Sequence, residues 1–141
     1  MPTRTAKAEW QGNLLEGNGT IAVGSGAFSG PYDWRSRSAE GPNTNPEELI
    51  AAAHAGCFSM AFAAQLTGAG FPPSKVNTTA KVHLEKTDSG FAIPKIELFT
   101  EALVPGIAAE QFQGLAEGAK SGCPVSKALA GVEIVLTAVL I

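Results

Sequence analysis

From Leu49 to Ser74 the chain carries no charged side chain. The first part of that run, LIAAAHAGCFSMAFAAQL, is rich in alanine and lacks proline. That composition favours helix. Such a helix is apolar almost all round, which predicts burial on every side rather than along one stripe. The residues just before it, Asn45-Pro46-Glu47-Glu48, form a helix start. Asn45 suits the N-cap, Pro46 the first helical position, and the two glutamates complement the positive end of the helix dipole. A helix is therefore expected from Pro46 to about Thr67, stopped by Gly68, Gly70 and the Pro72-Pro73 pair. A membrane span needs roughly 20 apolar residues. The apolar part here, Leu49 to Ala64, is shorter than that. The stretch reads as the core helix of a soluble domain.

Around that helix the sequence alternates. Thr5 to Glu9 and Gly19 to Val23 read as two strands joined by Gln11-Gly12-Asn13 turn chemistry, and Pro31 to Arg37 as a short third strand. After the helix, Lys75 to Lys86 and Ala92 to Val104 alternate apolar and polar residues and are expected to pair antiparallel across Asp88-Ser89-Gly90. Ala108 to Ser121 is expected to be a second helix with Phe112, Leu115 and Ala119 on one face. Pro124 to Ala130 adds a further turn, and Val132 to Ile141 is a closing strand apolar enough to be central in a sheet or interface. The order β-β-β-α-β-β-α-β, with hairpins and no running βαβ alternation, points to an α+β fold of antiparallel sheets around a central buried helix.

At 141 residues the chain is expected to be a single domain, residues 1–141. Only 16% of its residues are charged. The usual share is a quarter, so part of the surface is expected to be covered by a partner, most economically a second copy. A net charge of −3, with no basic cluster beyond Arg35 and Arg37, argues against a nucleic-acid partner. The opening MPTRTAKAEW lacks the apolar core of a signal peptide, so a cytoplasmic protein is expected, with no membrane association. GSGAFSG at Gly24 to Gly30 lacks the spacing and following helix of a phosphate loop.

The two cysteines, Cys57 and Cys123, are too far apart for a CxxC motif and meet only through tertiary contact. His54 and His83 are the only other soft donors and fall on different elements, so no metal site is expected. Cys57 is either inert packing or a sheltered nucleophile. Cys123 precedes Pro124 at a chain break, where a thiol is expected to see solvent and helix-start amides that favour its thiolate. An ionised Cys57 needs a cation. His54, at i−3, is one candidate, although a histidine in an apolar helix is commonly a hydrogen-bonded core residue. An arginine of PYDWRSR is another, because it stays charged when desolvated. A buried arginine needs a carboxylate, and Glu47 and Glu48 are nearest by chain. Glu47 and Cys57 are about 15 Å apart along one helix. Two helices packed antiparallel through Ala52, Ala53, Gly56, Ala63 and Ala64 would bring Glu47 of one chain toward Cys57 of another, a composite site at a dimer interface. Phe58, Met60 and Phe62 either line such a site or are plain core.

TNPEELIAAAHAGCFSMA (Thr44 to Ala61) and GCPVSKAL (Gly122 to Leu129) closely resemble the signatures of the OsmC/Ohr family, in its osmotically inducible protein C branch. AEWQGNLLEGNGT, FAIPKIEL and VPGI continue the match along essentially the whole chain, and PVS after Cys123 favours that branch. The resemblance implies an intertwined α+β homodimer with sites at the subunit interface. It also implies a two-cysteine thiol peroxidase that reduces hydroperoxides in oxidative or osmotic stress and needs no metal or cofactor. Carried onto this sequence, Cys57 is the peroxidatic thiol and Cys123 the resolving one, with a Cys57–Cys123 disulfide as the product that an external dithiol reopens. Glu47 is the carboxylate that orients an active-site arginine, and Arg37 matches that arginine best, with Arg35 as the fallback. The competing reading is a dimeric module that binds an apolar ligand with inert thiols.

Overall fold

The computed structural model describes residues 1–141, which divide into two compact units, Met1–Leu49 and Ile50–Ile141. In the first, β1 (Ala6–Gln11), β2 (Asn18–Val23) and β3 (Ser29–Tyr32) form an antiparallel meander. The β1–β2 register runs from Ala6 opposite Val23 to Gln11 opposite Asn18. The turn between them is closed by Asn13, whose side chain accepts the Glu16 N–H at 2.8 Å, and by Gly12 at φ 90°. Gly19 is required by packing. A Cβ there would meet the Tyr32 ring at 2.5 Å and the Trp10 ring at 2.9 Å. Those two rings close edge to face with centroids 5.3 Å apart, a favoured aromatic arrangement.

The third strand ends earlier than the sequence suggested. Asp33 takes an extended conformation and accepts the Ser36 N–H at 2.7 Å. It therefore caps a short helix, α1 (Trp34–Ser38), in place of continuing the strand. Arg35 and Arg37 thus sit on a helix, not on a strand. The following loop is stitched back onto that helix. Asn43 donates to Asp33 Oδ2 at 2.9 Å, the Asn43 N–H to Ser36 Oγ at 3.2 Å, and Asn45 Nδ2 to the Ser36 carbonyl at 2.8 Å.

The long helix α2 (Pro46–Gly68) begins where its sequence says, with the Glu48 N–H bonded to Asn45 Oδ1 at 2.8 Å. Its 23 residues are long and apolar enough to cross a bilayer by length and composition, further than the Leu49–Ala64 stretch alone suggested. In the second unit its residues pack as a core helix on one stripe only. His54, Phe58, Phe62 and Leu66 recur every four residues and are all buried. Ala52, Ala53, Gly56, Met60 and Ala64 face outward, with Met60 76% exposed. The expectation of burial all round is thus not met within one chain, because a single sheet can cover only one side of a helix.

That sheet is β4 (Lys75–Val82), β7 (Lys95–Leu103) and β8 (Glu133–Leu140), in the order β4-β7-β8. β7 is central. Its inward residues Ile96, Leu98, Thr100 and Ala102 are buried, in one core with Phe58, Phe62 and Leu66. β4 and β7 pair antiparallel, as the alternation predicts, with Val82 opposite Ile96. The strand expected to run to Lys86 stops at Val82, and β5 (Glu85–Thr87) with β6 (Gly90–Ala92) forms a separate hairpin. Pro94, which has no N–H to give a ladder, falls between the two pairings. β8 lies at the edge of this sheet, not its centre, and pairs parallel to β7, the one parallel strand pair in an otherwise antiparallel set.

The crossover is α3 (Ala109–Gly122), which buries Phe112, Ala116 and Ala119, followed by α4 (Pro124–Ala128). Phe112 packs on Phe62 with ring centroids 5.2 Å apart, and Phe62 on Phe58 at 5.7 Å. Each such ring contributes about 2–3 kcal/mol by burial. A hydroxyl ladder ties α2 to the sheet. Ser59 donates to Thr78 Oγ1 at 2.8 Å, and Thr78 and Thr100 share a bond of 3.0 Å.

Candidate active site

The residues selected from the sequence fall into two clusters, one in each unit. In residues 1–49, Glu47 in the first turn of α2 accepts both Arg37 Nε at 2.9 Å and Arg37 Nη2 at 2.8 Å on a single oxygen, Oε1. The Glu47 side chain is 9% exposed and that of Arg37 is 37% exposed. Glu47 Oε2 is buried and has no partner. The two glutamates divide their tasks. Glu48 accepts from Thr44 Oγ1 at 2.8 Å on the exposed side of the cap, while Glu47 holds the guanidinium. Arg35, on the exposed face of α1, lies close enough to Asp33 to help hold that carboxyl below its usual range, behind the larger effect of the Ser36 N–H.

Beside Arg37 lies a recess of about 180 Å³ walled by Trp10, Leu14, Tyr32, Asp33, Trp34 and Pro46. Its aromatic lining includes both tryptophans of the chain, neither of which is a candidate site residue from the sequence. Phe58 and Phe62, candidates for lining a site, are fully buried core, and Met60 is on the outer face of α2.

In residues 50–141 the two cysteines meet. Cys123 Sγ lies 2.7 Å from Cys57 Sγ, and both thiols are free. Cys57 is half-buried on α2. Cys123 is fully buried, not solvent-facing as its place at a chain break suggested. The reason is local. Cys123 ends α3, with its N–H on the Ala119 carbonyl at 2.9 Å, and starts α4, with its carbonyl accepting from Lys127 N–H at 3.1 Å. The corner formed there turns the sulfur inward to Cys57.

Burial pushes the Cys57 thiol above its ordinary value, and the Cys123 sulfur reinforces this, while the Val125 amide works against it. Burial also acts upward on Cys123. There it is outweighed by Cys57, by the amide and hydroxyl of Ser126 and by the Val125 amide, so the Cys123 thiol lies below its ordinary value. Without a further charge, these effects favour a thiolate on Cys123 over one on Cys57.

His54 is a core residue with one partner. Its Nε2 lies 2.7 Å from Ser126 Oγ, and its Nδ1 is buried without a partner. Ser126 escaped notice in the sequence; its position three residues after Cys123, on the same turn, is the signal that would have found it. Burial holds the His54 imidazole below its usual 6.5, so the folded chain keeps it neutral. The unfolded chain takes up a proton as pH falls through about 6.5. Stability due to neutral His54 is thus complete above that pH and declines as pH drops below it, down to the folded-state value. Urea midpoints between pH 8 and 5 are expected to fall below about pH 6.5 in the wild type and to fall less in His54→Leu. Parallel curves would contradict this.

A family model described as "OsmC-like protein" matches residues 39–137. Peroxiredoxin OsmC of Escherichia coli (strain K12) is 49% identical over 127 residues, covering 89% of each chain. An organic hydroperoxide resistance protein-like sequence of Staphylococcus aureus (strain USA300) is 35% identical over 94 residues, 66% of each chain. Among solved structures, an organic hydroperoxide resistance protein from Elizabethkingia anophelis superposes with a TM-score of 0.79 at 28% identity, covering 99% of both chains.

Proposed function

The chain belongs to the OsmC-like protein family, and from that membership we infer a thiol peroxidase that reduces hydroperoxides, with Cys57 as the attacking sulfur and Cys123 as the resolving one. The observation that carries this reading is the pair of free sulfurs 2.7 Å apart, one half-exposed and one sealed. Access selects Cys57, since a peroxide cannot reach a sulfur with no exposed surface. Arg37, oriented by Glu47, supplies the positive charge that moves the proton of the pair off Cys57 and steadies the negative charge developing on the peroxide.

The Cys57 thiolate attacks the distal peroxide oxygen. An S–O bond forms, the O–O bond breaks, and the alcohol leaves after taking a proton. Cys57 becomes a sulfenic acid, and Cys123 displaces its hydroxyl group to give the disulfide and water. An external dithiol restores both thiols by exchange. The recess of tryptophan, tyrosine and leucine beside Arg37 suits the organic part of an alkyl hydroperoxide.

The same reading includes a homodimer. The outward face of α2, with Ala52, Ala53, Gly56, Met60 and Ala64, is small and apolar enough for close approach of a second copy. It also takes residues 1–141 as a single OsmC-like domain in the cytoplasm, where reducible thiols are kept in their working state. The alternative, an apolar-ligand module with inert thiols, is separated by one experiment. One equivalent of cumene hydroperoxide is expected to consume two thiols per chain, and non-reducing peptide mapping to recover Cys57 linked to Cys123. Thiols left unmodified would favour the binding module and end the catalytic reading.

A further inference from the structure

The thiol cluster holds two polar side chains that the mechanism above does not use. His54 is fully buried and Ser126 nearly so, yet they bond to each other across α2 and α4 at 2.7 Å. Ser126 lies in the first turn of α4, three residues after Cys123, which caps that helix. A histidine and a serine in the core of a small domain carry a desolvation cost that two apolar residues would avoid. The remaining ring nitrogen, Nδ1, has no partner. A bare acceptor is tolerated in a core better than an orphaned N–H. The proton therefore sits on Nε2, which donates to Ser126 Oγ and leaves the Ser126 hydroxyl free to donate onward to sulfur.

We propose that His54 and Ser126 are positioning residues for the resolving step, a two-link donor chain that holds Cys123 as the anion that attacks oxidised Cys57. The proposal rests on the two-cysteine reading above. When peroxide is reduced at Cys57, the departing alkoxide takes the proton that the pair held on Cys123. Cys123 is then an anion with no exposed surface, so water cannot solvate it. Donation from Ser126, backed by His54, takes the place of that water and points the sulfur at Cys57. A sulfur lone pair of Cys123 forms the S–S bond, the S–O bond of the sulfenic acid breaks with its electron pair, and the released hydroxide takes a proton from solvent. The depressed thiol of Cys123, to which the Ser126 hydroxyl and amide contribute, agrees with this arrangement.

The test resolves the two chemical steps in the full chain after mixing with one equivalent of cumene hydroperoxide. Sulfenic acid on Cys57 is trapped with a dimedone-type reagent, and the Cys57–Cys123 disulfide is quantified by mass spectrometry. In Ser126→Ala, sulfenic acid is expected at no less than the wild-type rate, since losing a donor to Cys123 can only favour the Cys57 thiolate, with disulfide closure slowed about 10- to 100-fold, the range for losing one hydrogen bond to a charged group. Ser126→Thr, which keeps the hydroxyl, restores closure. His54→Leu slows closure and adds little on top of Ser126→Ala, since it acts through the same hydroxyl. Closure at the wild-type rate in Ser126→Ala overturns the proposal. So does an equal slowing of both steps, or no recovery with threonine, either of which makes Ser126 merely structural. Failure of the wild type to form either sulfenic acid or disulfide sinks the peroxidase reading itself, a result distinct from the others.

Discussion

Replacing Cys57 with serine is expected to abolish hydroperoxide consumption, by at least about 1,000-fold and down to the rate of the buffer. A serine hydroxyl at neutral pH is a far weaker nucleophile than a thiolate, and neighbours arranged for a sulfur anion do not ionise it. Cys123→Ser behaves differently. Cys123 has no exposed surface and acts only after the peroxide bond is broken, so the first turnover survives and stops at a sulfenic acid on Cys57. Steady-state turnover with a dithiol is then lost or slowed, and excess peroxide drives Cys57 on to sulfinic acid. Peroxide consumption by the wild type and both variants, with the mass of Cys57 read after one and after many equivalents, separates the two roles. Retained consumption in Cys57→Ser would remove this sulfur from the chemistry. A first turnover lost in Cys123→Ser, with the fold intact, would mean that Cys123 is the sulfur peroxide meets.

The features legible in the sequence were those fixed by local chemistry. Asn45-Pro46-Glu47-Glu48 is a cap and a first turn whatever surrounds it, and the structure starts α2 there. Alternation in Lys75–Val82 and Lys95–Leu103 sets which face is buried, and that face sets the register. The features that were not legible depend on what lies across the fold. The parallel pairing of β8 requires α3 to carry the chain over the sheet, and no residue in β8 itself states its direction. The one-sided burial of α2 follows from a single covering sheet, while alanine on the other side is silent about whether anything faces it. Inward rotation of Cys123 comes from the shared corner of α3 and α4. Pro124 announced that corner, but not the direction of the side chain before it. The α1 helix is a different case. Asp33 three residues before Ser36 is a cap signal present in the sequence, which the reading of Pro31 to Arg37 as a short third strand leaves out. Glu47 and Glu48 are both candidate partners for a buried arginine by chain proximity, their dipole role accounts for both equally well, and only the family resemblance chooses Glu47. In the structure Glu48 stays at the cap, and Glu47 turns to Arg37.

That pairing leads to the second large effect. Arg37→Lys is expected to lower kcat/KM for an organic hydroperoxide by about 100-fold, at the lower end of the loss seen when one preorganised donor to a developing oxyanion is removed. Net charge is unchanged, so the loss reports geometry. Glu47 Oε1 takes Nε at 2.9 Å and Nη2 at 2.8 Å. Those two bonds fix the plane of the guanidinium and the direction of its remaining N–H groups. An ammonium has one nitrogen. Held by Glu47 it presents no fixed donors elsewhere, and released from Glu47 it is a mobile charge. Burial and Cys123 push the Cys57 thiol up, so if Arg37 is the opposing cation, as proposed, weakening it raises that thiol further. Alkylation of Cys57 by iodoacetamide at pH 7 should therefore slow in Arg37→Lys, recover as pH rises, and do so with the Cys57–Cys123 disulfide still able to form. Glu47→Gln keeps the shape and loses the charge. It is expected to cost less than Arg37→Lys, and the double variant little more than Arg37→Lys alone, because the carboxylate acts through the guanidinium. Unchanged turnover in Arg37→Lys would leave the Arg37–Glu47 pair a structural clasp between α1 and α2. The same loss appearing instead in Arg35→Lys would move the cation to the exposed face of α1 and break the link between Glu47 and the chemistry.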